Sequence, residues 1–461
     1  SGSDEGMTLL AVAFKTLGCK LNQLETESIA DAFAAAGAEL CAFEAKADLY
    51  VVNTCTVTGK AEQKARRVIR QALAQNPRAV VLATGCYAQM DPEGLALLNQ
   101  RAVVLPGDEK SGILSLAGWL QDNWQGHGDL LGAVSEWKNI FESADAPGKI
   151  DRFAFHPGAF AFHSRPSLKI QDGCDNRCTY CRVCLARGPS SSLEAGEVLA
   201  RARSLEASGA SELVLTGINL SQYRSNGMNF AGLLDYLIKG TGRLRFRISS
   251  FEPERIDDAF LKVFSCERIQ PHVHLAVQSG SSGVLRRMAR PYNAERIAKA
   301  VADLRSTGRD PFIAADMIAG FPGETDSEFQ ETLELCRQLE FSWIHAFTFS
   351  ARPGTKAFNM IPKVPERVAG ERAALLAKCA ADCKSAYIAR WIGKTVDLVL
   401  EKDDFDAADG MRTGTTANYL KAMVSGVPPE IKAGNLVRVR LEGPSSIAGV
   451  DVGSIFICLL E

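Results

Sequence analysis

Three cysteines within eight residues constrain this chain more than any other feature: Cys174, Cys178 and Cys181 in the run Gly173-Cys174-Asp175-Asn176-Arg177-Cys178-Thr179-Tyr180-Cys181. The run follows the strand-like stretch Ser167–Gln171. Three thiolates at CxxxCxxC spacing can wrap one corner of a cubane cluster and hold three of its four irons. The fourth iron then lacks a protein ligand, and an open position separates a reactive metal centre from a closed structural one. Such an iron can chelate the amino and carboxylate groups of S-adenosylmethionine (SAM), and an electron from the cluster then splits the sulfonium to give a 5′-deoxyadenosyl radical. The competing reading is a zinc knuckle, because Cys178-x-x-Cys181-x-x-Cys184 contains two overlapping CxxC pairs. Zinc sites join two well-separated pairs, so the iron–sulfur reading is preferred.

Composition narrows the remaining choices. The 461 residues carry a net charge of −2 and ordinary apolar content, which suits about three domains with large cores. No stretch approaches the roughly 20 apolar residues of a membrane helix, and no secretory leader is evident, so a cytoplasmic protein without a membrane partner is expected. Ser1–Gly6 reads as a cloning remnant ahead of Met7. Thirteen cysteines are too sparse for a disulfide scaffold in so long a chain. Cys19, Cys55 and Cys86 sit singly in polar, Gly- or Thr-rich turns, as ligands in a reducing compartment would. Cys266, Cys336, Cys379 and Cys458 lie in apolar runs and read as small buried hydrophobes. Near-neutral charge excludes a whole-molecule attraction to nucleic acid and leaves local patches to do that work.

The fold class expected is α/β, in three parts. From Met7 to about Trp124, apolar strands (Leu9–Phe14, Leu49–Val52, Val80–Ala83, Val103–Leu105) alternate with amphipathic stretches such as Glu25–Ala36 and Lys60–Gln75. That alternation predicts a doubly wound parallel sheet over residues 7–125, with ligands beyond the carboxyl ends of its strands. Cys19, Cys55 and Cys86 each follow a strand, which favours a second metal site over three unrelated buried thiols. Residues 126–165, with weak periodicity and scattered Gly, Pro and aromatic residues, read as a linker that packs. Six further strands with five helices between them, within residues 166–388, fit an incomplete TIM-like (β/α)6 barrel with its chemistry at the strand carboxyl ends. These strands are Ser167–Gln171, Glu212–Thr216, Leu244–Ser249, His272–Val277, Phe312–Ile318 and Trp343–Phe349. After a helix over about Pro365–Ile392, the short runs Val396–Leu400, Tyr419–Val424, Leu436–Leu441 and Ser454–Leu459 suggest a small antiparallel barrel, residues 389–461.

The runs Val51-Val52-Asn53-Thr54-Cys55-Thr56-Val57-Thr58, Thr84-Gly85-Cys86-Tyr87-Ala88-Gln89 and Lys169-Ile170-Gln171-Asp172-Gly173-Cys174 resemble those of the radical-SAM methylthiotransferases. With Ser249-Ser250-Phe251-Glu252-Pro253, they resemble most the branch that methylthiolates N6-threonylcarbamoyladenosine beside the anticodon of tRNA. The resemblance spans nearly the whole chain and implies a cluster domain, a radical-SAM barrel and a C-terminal TRAM barrel. It implies that Cys174, Cys178 and Cys181 hold the radical-generating 4Fe–4S cluster. It further implies that Cys19, Cys55 and Cys86 hold an auxiliary 4Fe–4S cluster that carries the transferred sulfur. One SAM would methylate that sulfur, and a second would yield the radical that removes hydrogen from C2 of the adenine. Around SAM, the resemblance and the strand-end positions together nominate Tyr180, Thr216, Gly217, Ser249, Glu252, Gln278, Asp316 and Gly320. Arg187 and Arg352 are the candidate cations for the substrate carboxylate. The expected partners are a tRNA anticodon stem-loop and an electron donor of unspecified identity, with the enzyme a monomer.

The chain departs from the pattern at one place. Where bacterial relatives commonly read Cys-x-x-Pro-Tyr-Ala-Arg-Gly with a following Arg, it has Cys184, Leu185 and Ser191, although Arg187-Gly188 remains. A fourth thiolate on the radical cluster would block SAM, so Cys184 is expected not to be a ligand in the active state. From Arg390 to Glu461, ten acidic residues face eight Lys plus Arg. Lys421, Arg438 and Arg440 therefore make either a local RNA patch or a solvated barrel face. Lys60, Lys64 and Arg67 share a helix face opposite Ala65, Val68 and Ile69, again either RNA-facing or solvated. Two other functions compete: the same chemistry on isopentenyladenosine in tRNA or on a ribosomal-protein aspartate, and a non-catalytic, metal-stabilised RNA-binding protein.

Overall fold

The computed structural model describes residues 9–124, 128–143, 151–158, 160, 164–402, 411–444 and 455–460. Ser1–Gly6 and Met7 lie outside the described residues, as does Ser454 at the start of the last expected strand. The chain forms two compact units: Ser1–Ala161 with Asp172–Asp175 and Cys181–Pro189, and Phe162–Gln171 with Asn176–Tyr180 and Ser190–Glu461. No helix of the described residues is long and apolar enough to cross a membrane.

The first unit is built on five parallel strands, β1 (Ala11–Thr16), β2 (Glu39–Cys41), β3 (Leu49–Thr54), β4 (Val80–Gly85) and β5 (Ala102–Val104), in the order β2-β1-β3-β4-β5. Every residue of β3 and β4 is buried, as happens when both faces of a parallel sheet are covered. Tyr50 and Val52 of β3 enter one apolar cluster, while Leu49 and Val51 enter the other on the opposite face. Helix α1 (Lys20–Ala35) begins directly after Cys19, and α2 (Gly59–Gln75) is capped by the Thr58 hydroxyl accepting from Ala61 N at 3.1 Å. Buried Ala65, Val68, Ile69 and Ala72 place Lys60, Lys64 and Arg67 on the exposed side of α2. Within the stretch 126–165, read from the sequence as a linker that packs, Leu130–Ser143 is a helix of this unit. Its Leu130, Val134 and Trp137 pack with Val12, Phe33 and Val51. That i, i+4, i+7 stripe is helical in period, but the Gly, Pro and aromatic residues on either side dilute it in the sequence.

In the second unit six parallel strand positions form an open barrel, arranged as two sheets. One holds Arg245–Ile248, Glu212–Thr216 and Ser167–Lys169; the other holds Ser250–Phe251, His272–Gln278, Phe312–Ala319 and Trp343–Thr348. The third strand breaks at Ser249, so its first half pairs with Glu212–Thr216 and its second half with His272–Gln278. Among the described residues Trp343–Thr348 pairs only with Phe312–Ala319 and is an edge strand. A closed five-stranded barrel follows helix Glu366–Ala389. It contains Arg412–Thr416, a strand absent from the sequence-based expectation, and pairs Lys421–Ser425 parallel with Ile455–Leu460, whereas its other four pairings are antiparallel. Arg412–Thr416 (RTGTT) has no apolar run to announce it. The two barrels meet at the starts of the parallel strands. There the buried Arg247 bonds Glu212 at 2.6 Å and donates to the carbonyls of Thr416 and Ala417, both at 3.1 Å. The ring of Tyr419 sits 4.2 Å from that of His272.

Candidate active site

Strand order 2-1-3-4-5 places a topological switch point between β1 and β3, where ligands of open parallel sheets collect. Cys19 follows β1, Cys55 follows β3 and Cys86 follows β4, so the three thiols gather at that edge. Glycine makes the convergence possible. Gly18 has φ +105°, and a Cβ on it would stand 2.8 Å from Cys55 Cβ and 2.9 Å from Cys55 Sγ. Gly85 has φ +97°, and its Cβ would fall 2.4 Å from the Thr54 carbonyl. A frame of amides and hydroxyls fixes the loops. Asn22 Nδ2 donates to the carbonyls of Leu17 (2.8 Å) and Thr54 (3.1 Å), Asn53 Nδ2 donates to Asn22 O (3.0 Å), and the Thr54 hydroxyl donates to Thr84 O (2.5 Å).

The thiols feel one another electrostatically. Burial pushes the Cys55 thiol up to about 11, and neighbouring Cys86 and Cys19 add to the shift. Cys55 is buried and Cys86 half-buried; Cys19 has exposed surface, yet burial of its thiol pushes that group up as well. One cation stands against it. Arg187 donates to Asp172 and Glu25, each at 3.1 Å, and to Asn22 Oδ1 at 2.8 Å. Burial works against its charge, but Asp172, Cys86, Glu25 and Cys19 outweigh burial and hold it well above the usual arginine value. Among the described residues no three His, Cys, Asp or Glu side chains converge as ligands of a single ion. Three thiols that follow neighbouring strands, with the buried cation Arg187 coupled to Cys86 and Cys19, fit an iron–sulfur group, whose thiolate-held charge is anionic.

Residues of the Cys174–Cys181 run belong to both units, and each part has its own setting. In the first, Cys174 N donates to Gly188 O at 3.1 Å. Gly173 is at φ +69°, and a Cβ there would lie 2.1 Å from Pro189 O. Arg182, beside Cys181, is fixed to Glu62 (2.8 Å) and Thr56 (3.2 Å). Cys184 points its thiol at the Cys181 carbonyl, 3.8 Å away. In the second unit, Cys178 Sγ accepts from Arg290 at 3.0 Å, and Thr179 N donates to Met288 O at 3.0 Å. Tyr180 meets Phe321 edge-on at 6.4 Å and packs with Val284 and Met288.

At the carboxyl ends of the barrel strands lies a buried polar network. Gln171 Oε1 accepts from Asn219 N at 2.8 Å, and a Cβ on Gly217 would meet that same Oε1 at 2.8 Å. Glu252 N donates to Ser221 Oγ (2.8 Å), and the Glu252 carboxylate pairs with Arg290 and accepts from Asn176 and Asn219, each at 3.4 Å. Burial pushes the Glu252 carboxyl up to about 7 against the pull of Arg290. Thr216 and Ser249 are buried beside this network, and the Ser249 hydroxyl finds no partner among the described residues. Gln278 ends its strand at φ +68°, a strained conformation for a residue with a Cβ. Two of the nominated residues are engaged in holding the fold. Asp316 Oδ1 lies 2.9 Å from His274 Nε2 within the sheet, and a Cβ on Gly320 would stand 2.4 Å from Ala369 Cβ, so that glycine admits the helix Glu366–Ala389. Arg187, nominated for the substrate carboxylate, already carries two carboxylates of its own. Arg352 is buried in a separate loop of the second unit. Arg290, the cation that joins Glu252 to Cys178, is invisible in the sequence because Ala289-Arg290-Pro291-Tyr292 carries no motif.

Relatives of known name place the site in a family. The model of Uncharacterized protein family UPF0004 matches residues 11–106, and that of the Radical SAM superfamily matches residues 168–336. The protein is therefore a radical-SAM enzyme with an additional cysteine-bearing domain. The threonylcarbamoyladenosine tRNA methylthiotransferase MtaB of Treponema pallidum (strain Nichols) is 40% identical, over 95% of this chain and 100% of its own length. The enzyme of the same name from Bacillus subtilis (strain 168) is 36% identical, over 94% of each chain. A tRNA-2-methylthio-N(6)-dimethylallyladenosine synthase of Cereibacter sphaeroides (strain ATCC 17025 / ATH 2.4.3) is 30% identical, over 95% of this chain and 98% of its own. The chain belongs to the radical-SAM tRNA methylthiotransferase family, among the relatives named for threonylcarbamoyladenosine, and is a tRNA-modifying enzyme. The non-catalytic RNA-binding alternative is set aside.

Proposed function

We propose that this enzyme transfers a methylthio group to C2 of N6-threonylcarbamoyladenosine beside the anticodon, with two 4Fe–4S clusters and two SAM molecules per turnover. Cys174, Cys178 and Cys181 would hold one cluster, and Cys19, Cys55 and Cys86 the other. When bound, these groups supply the radical and the carried sulfur, respectively. The observation that carries the reading is the gathering of Cys19, Cys55 and Cys86 at the switch point against the buried cation Arg187. Iron–sulfur groups with thiolate ligands are anionic, and Arg187 offsets that charge where water cannot.

The chain's own residues prepare the rest. Glu252 and Arg290 hold a polar, pre-ordered wall at the strand ends, with Asn176, Asn219 and Gln171 fixing its amides. Such a wall orients the amino-acid and ribose parts of SAM without reorganising at the moment of reaction. Tyr180, Thr216, Gly217, Ser249 and Gln278 remain its candidate neighbours. Because Arg187 is committed to Asp172 and Glu25, Arg352 is the candidate for the carboxylate of the threonylcarbamoyl group. An uncharged isopentenyl substrate offers no carboxylate to a cation at the site, which disfavours it. The enzyme would act in the cytoplasm as a monomer on the anticodon stem-loop, reduced by a one-electron donor. Mass spectrometry of tRNA nucleosides from a deletion strain tests the assignment. Loss of the methylthiolated threonylcarbamoyl nucleoside alone is expected; loss of the isopentenyl form instead, or of neither, would overturn it.

A further inference from the structure

The edge strand Trp343–Thr348 leaves the second unit's barrel open along one side, and its residues alternate in a telling way. Ile344 is buried, whereas His345 and Phe347 are exposed, Phe347 to 46%. The exposed rings form part of an ordered column. His345 is stacked on His274, with centroids 5.0 Å apart and planes 16° from parallel. Phe347 continues the column at 6.5 Å and 17° from His345. Both ends of the column are anchored. Trp343 packs against the C-terminal barrel core with Tyr387 and Leu398 and donates its indole N–H to His345 Nδ1 at 3.2 Å. Phe349, just beyond the strand, packs against Phe321 at 5.4 Å, in the cluster that holds Tyr180. The exposed rings thus lie between the C-terminal barrel and the loop that carries Cys178.

One carboxylate, Asp316, lies within the column, bonded to His274, and the chain that follows the strand is cationic. From Phe341 to Pro365 the chain has Arg352, Lys356 and Lys363 and no Asp or Glu. Lys384 stands 4.7 Å over the Trp343 ring and Lys363 5.8 Å over the Phe349 ring. Aromatic faces with cations alongside, on an open edge, are what single-stranded nucleic acid binds: bases stack on the rings and phosphates meet the cations. An apolar protein segment would gain nothing from the cations, and an acidic one nothing from ordered parallel rings.

We propose that His345 and Phe347 form a stacking platform for unpaired anticodon-loop bases that neighbour the target adenine. The proposal rests on the tRNA reading above and adds to it a place where the loop is splayed and held. Every base has a π-face, so the platform would take bases of any sequence and leave discrimination to the target pocket.

The test is equilibrium binding of a threonylcarbamoyl-modified anticodon stem-loop to the cluster-loaded enzyme and to Phe347→Leu and Phe347→Trp variants. Leucine keeps apolar bulk but has no ring face; tryptophan keeps the face. Phe347→Leu is expected to bind about tenfold more weakly, and Phe347→Trp within about twofold of the unaltered enzyme. Unchanged binding by Phe347→Leu, or equal losses in both variants, would overturn the platform. Failure of the unaltered enzyme to bind the stem-loop would instead overturn the tRNA reading itself.

Discussion

Cys19, Cys55 and Cys86 stand on three strand ends of the first unit, among neutral amides and hydroxyls, with Arg187 as the cation set against them. Cys178, in the second unit, is set in a different medium: Arg290 bonds it, Glu252 bonds Arg290, and burial raises the carboxyl of Glu252. The first arrangement depends on backbone closeness, which glycine allows at Gly18 and Gly85. The second depends on pairing buried charges. Sites built on closeness should fail when a methyl group is added, and sites built on charge should fail when one partner is removed but recover when both are.

The largest effect tests whether the two thiol sets are independent. Changing Cys19, Cys55 and Cys86 to Ala should leave about four irons per chain, preserve SAM cleavage and abolish methylthio transfer. Changing Cys174, Cys178 and Cys181 should also leave about four irons but abolish SAM cleavage. Iron analysis and quantified 5′-deoxyadenosine decide it, and a triple variant that kept both clusters would sink the ligand assignment.

Next comes the glycine. Gly85→Ala would force a side chain into the left-handed region and to within 2.4 Å of the Thr54 carbonyl. Strain plus overpacking should cost about 2–6 kcal/mol, read as a lower unfolding midpoint and loss of iron from the first unit. Gly37, at φ +81° with nothing within 4 Å of a Cβ, is the control, and its Ala variant should lose only about 1–2 kcal/mol. Equal effects at the two positions would mean that closeness at Gly85 is not what holds the site.

In the second unit, Arg290→Met leaves Glu252 buried without its cation, an expected loss of about 3–5 kcal/mol. Adding Glu252→Gln should return most of the stability but not SAM binding. A double variant no more stable than the single one would show that the wall is not built on this pair.

The sequence displayed the first unit's site more fully than the second's, and the reason is physical. Cys55 and Cys86 sit at strand ends flagged by continuous apolar runs, so their convergence follows from the parallel topology. The Glu252–Arg290 pair joins residues 38 apart through side-chain reach alone, which no periodicity encodes. Helix Leu130–Ser143 was obscured by its neighbours' composition, and Arg412–Thr416 is a polar strand whose place is set by barrel closure. Gly320 stands at a strand end like the other residues nominated for SAM, and the close approach of Ala369 that its missing Cβ allows has no sequence signal.

The smallest expected effect concerns a charge pair that lies away from both cysteine groups. Glu212 begins its strand and Arg247 is the third residue of Arg245–Ile248; both are buried, and Arg247 also donates to Thr416 and Ala417 of the C-terminal barrel. Burial alone would raise the Glu212 carboxyl, but Arg247, Arg165 and Gln270 overcome it and hold it at about 2, below its ordinary 4.5. A carboxylate with a depressed folded pKa adds stability that is present above its unfolded value and lost as pH falls through the folded one. The contribution should therefore be full above about pH 5 and should fade between about 4.5 and 2, amounting to about 3 kcal/mol. Glu212→Gln removes the titration while keeping the hydrogen-bonding shape. Urea unfolding of the second unit at a series of pH values should show a shallower acid decline in the variant than in the unaltered protein. Parallel declines would mean that Glu212 contributes no pH-dependent stability, and that charge pairing in the second unit matters only around Cys178.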